Sequence, residues 1–549
     1  MNKSADLIVL AGAMFRGVSR DEMPVPGGAA IQGTRILAVG SEEELRPYRG
    51  PRTQIYAYGQ DSLLVPGFCD SHLHLAWTIE SENGPRLRRV SSEDECVAAV
   101  RKWLDANKNV PWVVGTGWHQ SNWPDKKPPD KRKLSAAVPE VPVCLLDVDA
   151  HAVWCNQKAL DAFGISAGSP NPEGGVIYRF PDGEPTGYIE ETPCMEVYKM
   201  GADAIDADAG VRVRYLKEAC AALNKRGVTS VMDAMDTPPA WLETLETLDG
   251  DGGLNVRVAC TVCLNGKQDY LSRAKALESR FPNREGTITF WGFKALLDGV
   301  GGTHTAWMTD DYADAPGCRG YPLIDPKLIK SRVLDAEERG YGVHLHACGT
   351  RAVEFGLDLV EEASSRGFTR GQRNAITHCD TTNDRDFARF GELGVVASLQ
   401  PEMLTPTREY AENFYPVRFG EALMRNAWAN RRFFDSTRVV SFSSDSPVTA
   451  ANPMLNVFRA TQRVHDDGAP SGGIHPEQRV TLSECLWACT YGGAYQLARE
   501  DILGTLEAGK LADLAVMDRN LFAVGPEEYA AAAARLTIMN GKVVLYGGV

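Results

Sequence analysis

The chain has no run of about 18 consecutive apolar residues, which excludes a protein that crosses a bilayer on helices. It also lacks a basic surplus. Against 58 Lys and Arg stand 72 Asp and Glu, a net charge of −14, so the cationic face that phosphate backbones require is missing and nucleic acid is excluded as a partner. A paired cysteine framework is absent too: thirteen cysteines, an odd number scattered over 549 residues, read as reduced thiols of a cytoplasmic protein. Cys260 and Cys263 match CxxC, but their spacing in a Val-rich strand turns the thiols to opposite faces. No low-complexity tract or short-period repeat occurs. The 44% hydrophobic and 24% charged content supports an ample core and excludes disorder as a main theme. One stretch, Asp6 to Phe15, has the length of a signal-peptide core, but Asp6 interrupts it and Arg16 follows at once.

What is present is a rhythm of short β-branched runs alternating with longer helical patterns, the signature of βα units and a parallel sheet. Eight runs stand out: Leu63 to Leu75, Val228 to Asp233, Val256 to Leu264, Ile288 to Asp298, Tyr341 to Ala347, Ala375 to His378, Val395 to Gln400 and Val439 to Ser444. Helical patterns cover 210–226, 325–339 and 351–366. Eight such units predict a closed (β/α)8 barrel of the TIM type over residues 63–500, with its chemistry at the C-terminal ends of the strands. Residues 80–205 fall outside the repeat as a Trp-, Pro- and Gly-rich insertion, with a hairpin pattern at 174–183, expected to lie over the barrel mouth. Ala5 to Leu10 echoes Ala512 to Met517. The two ends, 1–62 and 501–549, therefore predict one small β-sandwich domain, making the fold class α/β.

Among ten histidines, two pairs have HxH spacing, His72 with His74 and His344 with His346. Random placement predicts about 0.2 such pairs, so chemistry is the better explanation. Residues i and i+2 of a strand share a face, and neutral imidazoles converging at a barrel rim form a metal site awaiting a carboxylate. His346 and His378 end the fifth and sixth runs, and Asp445 ends the eighth. Lys294 falls inside the fourth run, where a bare cation is costly to bury. An ammonium cannot bind metal, but its CO2 adduct, a carbamate, presents two anionic oxygens. His344 is expected one layer beneath His346, supporting the site rather than ligating.

These residues, with Val65 to Ser71 before the first pair, Gly115 to Trp123, His151 to Asn156, Phe293 to Gly299, Ser444 to Pro447 and the closing Gly504 to Leu514, resemble the amidohydrolase superfamily. The resemblance covers residue 5 to the end, and is narrower for its long-insertion branch that includes N-substituted formamide deformylases. It implies a distorted (β/α)8 barrel with a β-sandwich, holding one or two divalent ions, usually zinc. His72, His74 and Asp445 would hold the first ion, His346 and His378 the second, and a carboxylated Lys294 would bridge them. It further implies a hydrolase cleaving the C–N bond of an N-substituted amide or formamide through hydroxide generated at the metal, with Asp445 moving the proton. Ester or carbamate hydrolysis, or hydration of a conjugated bond, remains open on the same site. A non-catalytic binding protein is disfavoured because all six ligand candidates are present.

Two positions depart from the branch. Thr350 replaces an Asp, which puts a supporting hydrogen bond in doubt, and His304 stands where relatives carry Arg, which bears on the substrate group recognised. Trp118, His119, Trp123, His151, His304 and Trp307 are the candidates for contact with a small-molecule substrate, suited to an aromatic or apolar arm. Relatives suggest a homodimer.

Overall fold

The computed structural model describes residues 4–548 except 89, 121–122, 149–151, 173–174, 267–268 and 405–414. The chain divides into two compact units, Met1–Leu75 with Cys220–Thr237 and Gly252–Val549, and Ala76–Ala219 with Pro238–Asp251. In the first unit eight strands pair in chain order: β1 (Phe68–Leu73), β2 (Val228–Asp236), β3 (Arg257–Cys263), β4 (Ile288–Leu296), β5 (Gly342–Ala347), β6 (Ala375–His378), β7 (Val396–Leu399) and β8 (Val440–Phe442). Every neighbouring pair is parallel. The ladder runs from β1 to β8 without joining its two ends, so the barrel is nearly closed.

The helices between strands follow the expected patterns closely. Ala209–Lys225, Pro326–Glu338 and Thr350–Ser365 correspond to three of them. The second begins where Asp325 accepts the Lys327 N–H and Pro326 occupies the first turn, a position where its missing N–H costs nothing. No helix among the described residues is long and apolar enough to cross a membrane.

The run from Leu63 to Leu75 is not one strand, contrary to its pattern. Leu63–Pro66 pairs antiparallel with Leu514–Met517 in another sheet, and the barrel strand starts only at Phe68. Pro66 has no N–H to continue a ladder. At Gly67 a Cβ would lie 2.2 Å from Oγ1 of the buried Thr229, so glycine alone lets the chain pass.

Both ends of the chain meet in one eight-stranded sheet. Its order runs Lys542–Tyr546, Ala534–Met539, Leu514–Met517, Leu63–Pro66, Leu7–Met14, Val25–Gln32 and Arg35–Gly40, with Gln54–Ala57 also paired to Leu7–Met14. Strand alternation sends Leu7, Val9 and Ala11 into one apolar cluster and Ile8 and Leu10 into another. Arg257, at the start of β3 and 1% exposed, is gripped by Asp513 at 2.7 and 3.1 Å, which ties the barrel to this sheet.

The second unit carries a five-stranded sheet in the order Gly175–Arg179, Pro185–Glu191, Ala152–Cys155, Val143–Asp147, Val113–Trp118. Its first two strands form the antiparallel hairpin that the sequence pattern predicts. Trp118 and Trp123 lie together in this unit. Both are buried in this unit's core with Trp154 and Tyr188, their rings stack at 5.6 Å, and Trp118 donates its indole N–H to the Leu145 carbonyl at 2.9 Å. Burying rings of this size supplies much of the apolar area of this core. His119, in the same unit, is half-buried, and His151 lies outside the described residues. All thirteen cysteines are free thiols, with Cys260 buried and Cys263 half-buried in β3.

One buried carboxyl of the second unit yields a pH prediction. Glu80 accepts the Tyr198 hydroxyl at 2.8 Å, and burial, helped by the charges of Asp206 and Asp203, pushes it up to about 8. A raised carboxyl binds its proton more tightly in the folded state, so its stabilising effect is complete below the unfolded value near 4.3 and is lost as pH rises through about 8. Chemical unfolding of this unit should therefore need less denaturant at pH 8 than at pH 5, and Glu80→Gln should flatten that difference; an unchanged slope would refute the assignment.

Candidate metal centre

β1 delivers His72 in its last turn of chain and His74 just beyond its end. The backbone then turns directly into the helix Leu75–Asn83, whose first N–H is accepted by Asp233 at 3.0 Å from the end of β2. Opposite them, the segment after β8 is stitched to β1 by three backbone donations. Asp445 N–H reaches His72 O at 2.8 Å, His74 N–H reaches Ser446 O at 2.9 Å, and Ser444 N–H reaches the Asp70 carboxylate at 2.9 Å. The result places Oδ1 of Asp445 3.0 Å from Nε2 of both His72 and His74. His378 completes the group: ligand atoms of His72, His378 and Asp445 all lie within 4.8 Å of one another, and all three residues are buried.

The ring of His72 is held from behind. Its Nδ1 lies 2.6 Å from Nε2 of the fully buried His344 and 3.1 Å from the Thr377 hydroxyl. Gln400 donates to that hydroxyl at 3.0 Å, while Gln496 donates to the Ser71 carbonyl at 2.9 Å and stands 3.3 Å from His344 Nδ1. The position of His344 is thus the supporting one that its strand register implies. His72 Nε2, although buried and close to Asp445, makes no hydrogen bond.

His346 sits with a different set of groups. Its Nε2 is 3.3 Å from the Gly299 carbonyl, 3.5 Å from the Cys348 thiol and 3.8 Å from Asp298, and its ring centroid is 4.3 Å from that of His378. Lys294 on β4 pairs in register with His344, one layer below the pairing of Leu296 with His346. It is 1% exposed, and its ammonium has no hydrogen-bond partner among the described residues.

Burial dominates the electrostatics. It lowers the basicity of His72, His344 and His378 well below the ordinary imidazole value and that of His346 to about 3, with the Lys294 charge adding to the effect. The imidazoles are therefore neutral, the form that ligates. Burial likewise brings Lys294 down to about 8, against the opposing charge of Asp445. For Asp445 burial acts upward, but its contact with His74 and the neighbouring His378 and Lys294 outweigh it and hold the carboxyl below its usual value. His378, Cys379 and Asp445 have φ of 75°, 51° and 55°, a left-handed region that few non-glycine residues enter.

Several supporting residues escape a reading of the sequence alone. Asp298 is fully buried and accepts three backbone N–H groups, from Trp307 at 2.8 Å, Cys348 at 3.0 Å and Gly349 at 2.8 Å, so it clamps the segment after β4 to the end of β5. Its place in the Phe293 to Gly299 motif was the available signal. Asp70 is two residues before His72 and so on the same strand face, a spacing that could have marked it. Thr350 accepts the Thr309 N–H at 2.9 Å, so the hydroxyl does keep a hydrogen-bonding role there. His304 faces Asp314 at 2.8 Å and the Tyr312 ring at 4.8 Å, while Trp307 packs on Phe355 beneath Arg351.

The Asp298 clamp is testable without reference to any ligand. Asp298→Ala strands three buried N–H donors, each worth about 1–3 kcal/mol, and should lower the unfolding midpoint of the barrel unit more than Asp298→Asn, which keeps one acceptor. Equal midpoints for both variants and the parent chain would remove the clamp.

Residues 60–545 match the amidohydrolase family. The protein LONG AFTER FAR-RED 3 of Arabidopsis thaliana is 28% identical over 529 residues, covering 94% of this chain and 88% of that protein. An N-substituted formamide deformylase of Arthrobacter pascens is 26% identical over 513 residues, covering 89% of each. Among solved structures, an uncharacterized metal-dependent hydrolase from Pyrococcus furiosus superposes with a TM-score of 0.73 at 26% identity, covering 95% of this chain and 99% of that one. With the match spanning both ends of the barrel and the strand-end His and Asp residues, the chain belongs to the amidohydrolase family.

Proposed function

We propose that this protein is a metal-dependent hydrolase that cleaves the C–N bond of an N-substituted amide or formamide. The observation that carries the reading is the convergence of His72, His378 and Asp445 on one buried point. The donors fit a divalent ion: neutral imidazole nitrogens with a carboxylate oxygen suit zinc and its neighbours, and His72 Nε2 is buried without a hydrogen bond. His72, His74 and Asp445 would hold a first ion and His346 and His378 a second, with Lys294, once carboxylated by CO2, as a further anionic ligand. Carboxylation would convert this buried cation into an anion suited to neighbouring metal ions, and so relieve its burial cost. The amide preference draws on the deformylase relative from Arthrobacter.

An ion bound here supplies acidity to a water molecule and polarises a carbonyl. The remaining work falls to the chain. When His72 donates Nδ1–H to His344, its Nε2 lone pair is left for the ion, and His344 and Thr377 keep the ring in that orientation. Asp445, ionised because His74 and His378 adjoin it, accepts the proton of the attacking water and returns it to the departing nitrogen. Its backbone, fixed by His72 O and by the Asp70–Ser444 pair, holds the carboxylate in place for both transfers.

Asp445→Asn should fold, as judged by its circular dichroism, and lose about 10²- to 10⁴-fold in turnover. Near-normal turnover would overturn its role. Chelation should abolish activity and zinc should restore it, with about one or two ions per chain by elemental analysis. A screen of amides, formamides, carbamates and esters, run with bicarbonate, distinguishes the scissile bond; hydrolysis confined to esters would refute the amide reading.

A further inference from the structure

A cavity of about 310 Å³ opens at the end of the barrel away from the candidate metal centre, walled by Trp291 of β4, Gly342 at the start of β5, Arg370, Gln372 and Arg373 just before β6, and Ala498. Its size is that of a site for one small molecule. The walls are fixed in place. Gln372 donates to the carbonyls of Glu337 and Phe368, both at 3.0 Å, and accepts the Arg370 N–H, which pins the loop between the helix Thr350–Ser365 and β6. A Cβ at Gly342 would lie 3.3 Å from the Trp291 ring, so this glycine lets the indole rest against the start of β5.

The charges of the lining do not cancel. Arg373 donates to Glu500 and, at 2.9 Å, to the Gly371 carbonyl. Arg370 gives its Nε–H to the Gly367 carbonyl at 3.4 Å, and its guanidinium meets no carboxylate within ion-pair distance among the described residues. Arg284, which donates to the Ala498 carbonyl, is paired with Asp501 at 2.6 and 2.8 Å and adds no free charge. Two cations against one carboxylate leave the cavity one positive charge, with the half-buried Trp291 indole beside it. A guanidinium with open N–H groups receives an oxyanion in its fork, and an indole receives a flat apolar body.

The same two walls hold a segment that backs the metal centre. The Arg373 guanidinium lies over the Tyr495 ring at 4.1 Å, and Trp291 donates its indole N–H to the Gln496 carbonyl at 2.7 Å. The Gln496 side chain donates to the Ser71 carbonyl and stands 3.3 Å from His344 Nδ1, and His344 Nε2 is 2.6 Å from His72 Nδ1. Trp291 also meets the His344 ring edge-on at 6.2 Å. One layer of side chains therefore separates the cavity from a candidate metal ligand.

We propose that this cavity is a binding site for an aromatic monocarboxylate, and that its occupancy is felt at the metal centre through Tyr495, Gln496 and His344. The carboxylate takes the open donors of Arg370 and Arg373, the ring lies against Trp291, and a monoanion matches the single uncompensated charge. A ligand held here does not reach the strand-end donors, so it acts as an effector and not as a substrate. The binding itself is independent of the hydrolase reading above; the coupling rests on the metal centre of that reading.

The test is calorimetry on the full chain, stripped of metal by chelation and then loaded with zinc, with benzoate as the probe and acetate and inorganic phosphate beside it. Benzoate should bind both forms, at least about 10-fold more tightly than acetate or phosphate, and Arg370→Glu at this exposed position should weaken it by at least about 10-fold. Arg370→Gln serves the same purpose should charge reversal disturb the fold. Benzoate binding that the Arg370 variants leave unchanged, or that appears only with zinc, puts the carboxylate elsewhere and overturns the site. Phosphate binding tighter than benzoate overturns the ligand class. For the coupling, zinc affinity measured by competition with a chromophoric chelator should change at least about 5-fold under saturating benzoate in the parent chain and stay constant in Arg370→Glu. A zinc affinity indifferent to bound benzoate overturns the coupling alone. Failure to bind zinc at all, with benzoate still bound, overturns both the coupling and the metal-centre reading while the cavity site stands.

Discussion

The structure depends on how the barrel's open seam is held. No ladder joins β1 to β8; instead Asp445 N–H, His74 N–H and the Asp70 carboxylate with Ser444 cross between the end of β1 and the segment after β8. Those few hydrogen bonds do two things together. They satisfy backbone groups that would otherwise be orphaned in a buried gap, and they bring the His72 and His74 rings to the Asp445 carboxylate.

Energetically the site is the costly part of the fold. Three buried imidazoles, the half-buried His346 and one buried lysine stand around it, and burial works against the charged form of each. The surroundings make this tolerable by directing polar partners at the rear of the rings, with Thr377, Gln400, Gln496 and His344 forming a connected network behind His72. Such a network rigidifies the front of the site because moving one ring unpairs several buried groups. The Asp298 clamp does the same for the β4 and β5 ends beside His346.

How legible this was varies with the range of the interaction. The barrel rhythm could be read because each βα unit writes its own local pattern, and the histidine pairs could be read because period two in a strand puts both rings on one face. The Leu63 to Leu75 run misled because an apolar pattern does not tell which sheet a strand joins; Pro66 and the tight passage at Gly67 divide it. A tryptophan in an insertion has the same sequence signature whether it faces a ligand or a neighbouring tryptophan, so the packing of Trp118 against Trp123 carries no local signal. Asp298, Thr377 and Gln496 carry no local signature, for they act through partners up to several hundred positions away.

By itself, then, the order of residues determined the eight alternating units, the meeting of both chain ends in one sheet and the types of donor available at the strand ends, because these follow from local periodicity and side-chain chemistry. Tertiary structure alone decided which donors share a point, which of them are backed by hydrogen bonds, and that His346 stands with Asp298 and Cys348 as well as beside His378. Those outcomes turn on distances between strand ends far apart in the chain, which local periodicity does not record.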